Sequence, residues 1–251
     1  MSYIGPDRRR AFALNLPDLP PAEGEIRHRI EAAHAALLGA MKPLRRLFRP
    51  QDVIIASDER PSAIYTVQSG LLAERRMLTD GRAHIRGFLL PGDCFGALSS
   101  APEHQTSHSV EALAPSTVTV LDQPQLTRLK ADHRDIELAL MWLFAQAQSR
   151  HRDWETILAC GNAFEKIAAM LFDLCERTRA WQHLQDVPVR LPIGQREIAE
   201  HLGLTLPHVS RILRLFRDSG LIASHYRAIE VRNPAALAQS VKLIRNSGQS
   251  D

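Results

Sequence analysis

Hydrophobic residues change their spacing twice along this chain of 251 residues. From residue 26 to residue 41 they recur every three or four positions, which predicts an amphipathic helix that ends before Pro43. From about 46 to 128 they form short β-prone runs separated by turn residues, namely DVIIA, AIYTVQ, LLAERRML, AHIRGFLL and VTVL. From residue 135 the helical spacing returns. The pattern predicts an α+β chain with an antiparallel β barrel or sandwich between helical segments.

Residues 135–158 predict the longest helix, and residues 162–178 predict a further amphipathic helix. One row on the long helix alternates by four and three positions, with Arg150 at one expected apolar position; it consists of Ile136, Leu140, Leu143, Ala147, Trp154 and Ile157. Such a repeat over three heptads favours pairing with the same helix of a second copy. A second apolar face is available for packing on the β domain of the same chain; it contains Leu138, Met141, Trp142 and Ala145. We therefore expect a homodimer whose interface is the first row.

Residues 195–214, QREIAEHLGLTLPHVSRILR, have the spacing of a helix-turn-helix. Ala199 is small enough for the closest approach of the two helices, and Gly203 suits the left-handed conformation at the end of the first. Thr205 is positioned to cap the second helix with its hydroxyl, and Pro207 is tolerated in its first turn. The predicted core positions of the two helices are Ile198, Leu202, Val209, Ile212 and Leu213.

The other face of the second helix is basic, because residues 208–217 contain three arginines and no acid. We predict that base edges in the major groove are read by His208, Ser210 and Arg211, and that phosphates are contacted by Thr205, Arg214 and Arg217. The following segment, SGLIASHYRAIEVRNP, predicts a helix stop at Gly220 and then two short strands joined by a polar turn. Together these features predict a winged helix-turn-helix that binds double-stranded DNA.

Composition adds limits to this interpretation. The net charge is +3 and the sequence pI is about 9.0, which are compatible with a polyanionic partner. No apolar run approaches the roughly 18 residues of a membrane span, and the N-terminus lacks an apolar signal-peptide region, so we expect a cytoplasmic protein without membrane contact. Cys94, Cys160 and Cys175 are widely spaced and predict neither a disulfide framework nor a metal knuckle. We expect small buried groups, with redox sensing by Cys160 or Cys175 as the alternative.

Three stretches carry a resemblance to a known family: AIYTVQSGLLAERRMLTDGRAHIRGFLLPGDCFGALS, GNAFEKIAAMLFDLCER and LGLTLPHVSRILRLFRDSGLI. Over about residues 45–235 the chain resembles the Crp/Fnr superfamily of bacterial transcription regulators, and its last two stretches look closer to the Fnr and FixK branches. The resemblance implies an N-terminal β-roll like that of cyclic-nucleotide-binding domains, a long dimerisation helix and a C-terminal winged helix-turn-helix. We place an extension and helix at 1–45, the β-roll at 46–130, the dimerisation helix at 131–160, the DNA-binding domain at 161–235 and a tail at 236–251.

Departures from the family pattern restrict the expected ligands. Cyclic-nucleotide binders carry a glutamate for the ribose where this chain has Ala97, and an arginine for the phosphate that the stretch HQTSHS lacks. Fnr-type oxygen sensors need N-terminal cysteines, whereas no cysteine precedes Cys94. We therefore expect no cyclic nucleotide, metal or other cofactor. Pro207 stands where the family usually has a base-reading glutamate, so the operator need not follow the family consensus.

Two alternatives remain open at this point. A metal-dependent, cupin-like barrel would use His84, His104 and His108, although these residues also fit a solvent-exposed surface. A winged-helix module that binds proteins is the other, and the arginine row of the second helix argues against it. The favoured interpretation is a DNA-binding transcription regulator that is not an enzyme, with RNA polymerase as a further candidate partner. The sequence leaves open any effector ligand and whether the regulator activates or represses.

Overall fold

The computed structural model describes residues 24–41, 45–96, 105–182 and 188–240, so the predictions for the N-terminal extension and the extreme C-terminal tail lie outside the described residues. Its helices are α1 (Gly24–Met41), α2 (Gln123–Asp132), α3 (Ile136–Cys160), α4 (Ala163–Gln182), α5 (Gln195–Leu202), α6 (Leu206–Asp218) and α7 (Pro234–Gln239). Its strands are β1 (Arg45–Phe48), β2 (Val53–Ile55), β3 (Ala63–Ser69), β4 (Leu72–Met77), β5 (Ala83–Leu89), β6 (Cys94–Gly96), β7 (Ser109–Ala112), β8 (Ser116–Asp122), β9 (Val189–Leu191), β10 (Ile222–His225) and β11 (Ala228–Val231).

Strands β1–β8 form the β-roll, which consists of two four-stranded antiparallel sheets. Their strand orders are β1-β8-β3-β6 and β2-β7-β4-β5. The β4–β5 hairpin turns at Asp80-Gly81, where Gly81 has a φ of +81° and the Leu78 N–H donates to the Arg82 carbonyl at 2.8 Å. The apolar cluster of the β-roll contains Ile55, Ala63, Tyr65, Val67, Leu72, Phe95, Val110, Ala112, Val118 and Val120.

Three strands of the β-roll and one helix were not predicted from the sequence. Strands β1, β6 and β7 have only four, three and four residues, and none of them contains a run of three apolar residues like that of β2. Helix α2 begins at a capping box: the Gln125 N–H donates to Asp122 at 2.8 Å, and the Asp122 N–H donates to Gln125 at 3.1 Å. The Asp-x-x-Gln spacing before Leu126 is the signal that could have revealed this helix.

Helices α1, α2 and α3 pack on the β-roll around a second apolar cluster. Arg29 of α1 also pairs with Asp135, which precedes α3, at 2.5 Å. Ile136 belongs to this cluster and is 0% exposed within the single chain. The dimer contact predicted for Ile136 is therefore corrected: its side chain packs inside its own subunit and has no surface to offer a partner.

Helices α4–α7 and strands β9–β11 form the C-terminal module. Its sheet has three strands in the order β10-β11-β9, rather than the two predicted. Strand β9 pairs with β11 in the register Ile229↔Leu191, which connects the segment before α5 to the wing. The predicted helix stop is confirmed, since α6 ends at Asp218 and Gly220 follows with a φ of +71°.

The β-roll and the C-terminal module share one continuous apolar cluster. Leu71, Ile85 and Phe88 of the β-roll lie in the same cluster as the buried residues of α4, α5 and α6. A polar link runs beside it, because the Arg177 guanidinium of α4 donates to Asp93 and, at 3.4 Å, to the Phe88 carbonyl. Direct contacts thus fix the position of the helix-turn-helix relative to the β-roll.

Candidate nucleic-acid interface

The turn between α5 and α6 is set by Gly203. This residue has a φ of +64° and a ψ of 32°, a left-handed conformation that side-chain-bearing residues adopt at a cost. The N–H groups of Gly203 and Leu204 both donate to the carbonyl of Ala199, the second at 3.1 Å, and Ala199 itself is buried. At the other end of α5, the Gly194 N–H donates to Glu197 at 2.8 Å. The turn predicted from the sequence is confirmed.

Helix α6 is divided sharply into a buried and an exposed face. Its buried residues are Val209, Ile212, Leu213 and Phe216. The ring of Phe216 meets that of Phe164 edge to face, with centroids 4.7 Å apart. On the opposite face Arg211 and Arg214 are exposed, and neither forms an ion pair within the part of the chain that the structure describes. The first turn of α6 holds no acidic residue, and the acid of this helix, Asp218, stands at its C-terminal end.

The remaining predicted DNA contacts lie around this face. His208 and Ser210 are partly exposed on its flanks. Arg217 is also partly exposed, and its Nη1 donates to Ser224 Oγ of the wing at 3.0 Å. Thr205 is the N-cap residue of α6, but its hydroxyl makes no capping hydrogen bond, contrary to the prediction. Thr205 is exposed, and its hydroxyl does not close the start of the helix.

Four exposed residues near this surface were not among the predicted contacts. Leu206 and Pro207 occupy the first turn of α6, where Leu206 is 50% exposed and Pro207 is also exposed. At the tip of the wing, Tyr226 is 90% exposed and Arg227 adopts a φ of +51°. The helical spacing contained a signal for Pro207, which precedes Arg211 by four positions and so shares its face.

Helix α5 is attached to the β-roll by two reciprocal histidine contacts. His84 Nδ1 of β5 lies 3.0 Å from the carbonyl oxygen of Glu200, and His201 Nδ1 of α5 lies 2.9 Å from the carbonyl oxygen of Ile85. Because a carbonyl oxygen can only accept, both imidazoles carry a proton on Nδ1. We call these four residues the histidine clasp. The His201 ring also meets the rings of two neighbours edge to face, Phe88 at 5.0 Å and Trp154 at 5.2 Å.

Burial controls the electrostatics of the clasp. Burial lowers the pKa of His201 to about 4, so its ring is neutral at pH 7. The adjacent Glu200 side chain is paired on both sides, with Arg75 of the β-roll at 3.2 Å and with Arg196 at 2.7 Å. The polar groups of α5 are therefore engaged in contacts within the subunit.

The β-roll has a small cavity facing α3 and α4, with a volume of about 130 Å³. Its polar lining residues include Glu74, Arg86, Asp93, Arg150, His151 and Arg177. Burial raises the pKa of Glu74, but the hydrogen bond and charge of His108, together with other nearby cationic groups, outweigh it and hold the pKa below its usual value. His108 Nε2 lies 3.6 Å from Glu74 Oε1. The cavity thus contains an anionic side chain of the protein itself.

The histidines considered for a metal site are not solvent-exposed groups in the described region. His84 bonds to α5 and His108 is buried beside Glu74, while His104 lies outside the described residues. Within the described ranges, no group of three or more His, Cys, Asp or Glu side chains is arranged to hold a metal ion. Nor does any described helix have the length and apolar character of a membrane span.

The three cysteines differ in access. Cys175 is buried and Cys94 partly buried, and burial raises the pKa of each thiol to about 11. Cys160, at the end of α3, is exposed, so the expectation of a buried residue is wrong for it. Of the two cysteines considered for redox sensing, Cys160 is the accessible one.

The row predicted for the dimer interface faces its own subunit over much of α3. Leu140 and Leu143 pack against the apolar cluster that α1, α2 and α3 form on the β-roll. Trp154 and Ile157 pack against the apolar cluster that the β-roll shares with the C-terminal module. Ala147 is partly buried and lines the β-roll cavity.

The strongly exposed large apolar side chains of α3 are Met141 at 69% and Phe144 at 46%. Met141 and Ala145, which is also exposed, were predicted to pack on the β domain of the same chain, and this prediction is wrong for both. At 100° per residue Phe144 lies about a quarter turn from the predicted row, and Met141 lies more than a third of a turn from it.

Comparisons with known proteins agree with this architecture. Residues 45–133 match the cyclic nucleotide-binding domain family and residues 165–240 match the Crp-like helix-turn-helix domain family. The nitrogen fixation regulation protein FixK of Rhizobium meliloti is 32% identical over 195 residues, covering 76% of this chain and 83% of FixK. The fumarate and nitrate reduction regulatory protein of Escherichia coli K12 is 29% identical over 205 residues, covering 82% and 80%.

A solved structure extends the likeness to three dimensions. FixK2 from Bradyrhizobium japonicum superimposes with a TM-score of 0.63 at 26% sequence identity, covering 78% of this chain and 95% of FixK2. The predicted α+β order of β-roll, long helix and winged helix-turn-helix is thereby confirmed. These relatives are transcription regulators and not enzymes. The chain belongs to the Crp/Fnr family of DNA-binding transcription regulators.

Proposed function

We propose that two copies of this chain bind a pseudo-palindromic DNA site, with one α6 helix in the major groove of each half-site. The observation that carries this proposal is the exposed guanidinium pair of Arg211 and Arg214 on the face of α6 opposite its core, neither of which has an ion-pair partner among the described residues. A two-fold dimer with recognition helices about 34 Å apart would match one turn of B-form DNA. Such a regulator acts in the cytoplasm, and RNA polymerase is its candidate protein partner.

The proposed DNA contacts fall into two groups, those to bases and those to phosphates. Arg211 reads a guanine through a bidentate hydrogen bond, flanked by Ser210 and His208 as further base contacts. Thr205, Arg214 and Arg217 hold phosphates. The free hydroxyl of Thr205 supports its assignment, because it is not consumed by helix capping. Arg217 has one Nη engaged by Ser224, so its phosphate contact would also orient the wing.

Helix α3 supplies the dimer interface in this proposal, through Met141 and Phe144. Both side chains are large, apolar and strongly exposed in the single chain. Leu140 and Ala147, both partly exposed, border them and retain their predicted role at the edge of the interface. Burial of these side chains between two copies would be favourable at about 25 cal/mol per Å² of apolar surface.

We further propose that the β-roll does not bind a cyclic nucleotide. Its cavity of about 130 Å³ is well below the roughly 300 Å³ at which small-molecule pockets begin. Two arginines of its lining already have an anionic partner in the protein, because Arg150 and Arg177 both pair with Asp93. Titration calorimetry with cyclic AMP is expected to give no heat of binding at millimolar nucleotide.

In vitro selection of bound duplexes from a random pool tests the main proposal. We expect a two-fold symmetric consensus with half-site centres about one helical turn apart. The dissociation constant of the selected duplex should rise steeply with salt concentration. A plot of its logarithm against the logarithm of the salt concentration should have a slope of about 0.9 for each phosphate that the protein neutralises. A protein that enriches no sequence and whose binding barely responds to salt would instead support the protein-interaction module.

A further inference from the structure

The recognition helix α6 begins with two exposed apolar residues. Leu206 and Pro207 are the first two residues of α6, and neither belongs to an apolar cluster of the described residues. Leu206 is 50% exposed, whereas Val209, Ile212, Leu213 and Phe216 of the same helix are buried. Leu206 and Pro207 thus form an exposed apolar patch beside Arg211 and Arg214, which have no ion-pair partner among the described residues.

The position of the pair relates it directly to the basic face. Pro207 precedes Arg211 by four residues and Arg214 by seven, so all three lie on one side of α6. Leu206 precedes Ser210 by four residues and lies on the adjoining flank. When the N-terminal end of a recognition helix enters the major groove, its first turn meets base edges. Leu206 and Pro207 would therefore approach bases at the deepest point of the interface.

The major groove offers one group that suits such side chains. Thymine carries a C5-methyl there beside its O4 acceptor, whereas guanine, adenine and cytosine present hydrogen-bonding atoms without a methyl group. Leucine has no polar side-chain atom, and proline lacks even the backbone N–H. Covering a cytosine amino group or guanine O6 with these residues would leave a polar atom without a partner, which is costly.

We propose that Leu206 and Pro207 read thymine by packing on its methyl group, next to the base read by Arg211. This inference rests on the proposed DNA-binding function and adds a specificity determinant to it. The half-site should then contain a thymine whose methyl group, rather than its hydrogen-bonding edge, is recognised.

Deoxyuridine substitution tests the proposal, because uracil differs from thymine by that methyl group alone. In the selected operator each thymine of the half-sites is replaced in turn, and binding is measured by fluorescence anisotropy. Burial of one methyl group predicts that wild type binds about 4-fold more weakly when the critical thymine is replaced in one half-site, and about 15-fold more weakly when it is replaced in both. In Leu206→Ala the same replacement should change affinity by less than 2-fold.

Leu215→Ala is the matched control. Leu215 is 51% exposed on the same helix but lies nine residues further along, about half a turn around from Leu206. This variant should retain the full penalty for deoxyuridine, and Leu206→Met should retain most of it. Circular dichroism shows whether the variants keep the fold, which an exposed position should allow.

The outcomes separate this inference from the proposed function. If wild type discriminates its operator through Arg211 but tolerates deoxyuridine at every position, the methyl contact is refuted and DNA reading stands. An equal penalty in wild type and Leu206→Ala would also refute it. If no duplex is bound in a salt-sensitive way, the proposed function itself fails.

Discussion

The two helices of the helix-turn-helix are neighbours in sequence, but they use their polar groups in opposite ways. On α5, Glu197 closes the helix start, Glu200 pairs with two arginines and His201 bonds to the β-roll. On α6, Arg211 and Arg214 have no ion-pair partner among the described residues. The difference shows that α5 fixes the module to the rest of the subunit, while α6 keeps its donors free for another molecule.

The histidines of the two helices show the same division. His201 is 5% exposed, neutral and held between two aromatic rings, whereas His208 is partly exposed on the flank of the basic face. A change in α5 should therefore alter stability and the position of the module. A change in α6 should alter DNA binding while the fold persists.

The largest effect is expected from Arg211→Ala. Loss of a bidentate bond to guanine costs about 1 to 3 kcal/mol of discrimination per half-site, so two half-sites should lose roughly 30- to 20,000-fold. Nonspecific binding, which depends on other cations, should persist and remain salt-sensitive. Competition between operator and random duplex measures the change. A variant that discriminates as well as wild type would show that Arg211 does not read bases.

Acidification should weaken the attachment of α5 to the β-roll. We expect an effect between that of Arg211→Ala and that of Arg214→Ala. Burial holds the pKa of His201 near 4, below its usual value of 6.5, so the unfolded chain binds the proton more readily. The stability contributed by the neutral ring is complete above about pH 6.5 and is lost as the pH falls towards 4. By pH 4.5 the loss should be about 2 to 3 kcal/mol.

His201→Leu isolates this contribution from that of His34, another buried histidine whose pKa is lowered to about 4. Its free energy of unfolding should depend less steeply on pH than that of wild type between pH 7.5 and 4.5. The neighbouring charged groups Arg75 and Glu200, and His84, are retained in the variant. Urea unfolding provides the measurement, and identical pH slopes would contradict the assignment. Base preference at pH 7.5 should be unchanged.

The smallest effect is expected from Arg214→Ala, which should weaken all duplexes alike. Loss of one phosphate contact per subunit lowers the salt slope of the dimer by about 2. Arg196→Ala is the matched control, because Arg196 is exposed but paired with Glu200 on α5. It should leave the salt slope unchanged and alter stability by less than about 1 kcal/mol. A changed base preference in Arg214→Ala would make it a reading residue.

Local patterns predicted the elements that depend on near neighbours. Gly203 takes the left-handed conformation that its place between two helices required, and the buried stripe of α6 follows from spacing along one helix. The five longer apolar runs became strands, whereas the three- and four-residue strands β1, β6 and β7 did not stand out. Thr205 shows the limit of such rules, because a residue of the right type at the N-cap leaves its hydroxyl unused.

By itself the sequence determined the helix-turn-helix, the basic face of α6 and the order of the domains, because each depends on residues within a few turns of one another. The tertiary structure decided which polar groups remain free. His84 and Glu200 are 116 residues apart, as are Ile85 and His201, and no periodicity in the chain relates them. The tertiary structure also decided which face of α3 is exposed, because a helix with two apolar faces can bury either one. Here α1 and the apolar cluster shared by the β-roll and the C-terminal module cover one face and leave the other in solvent.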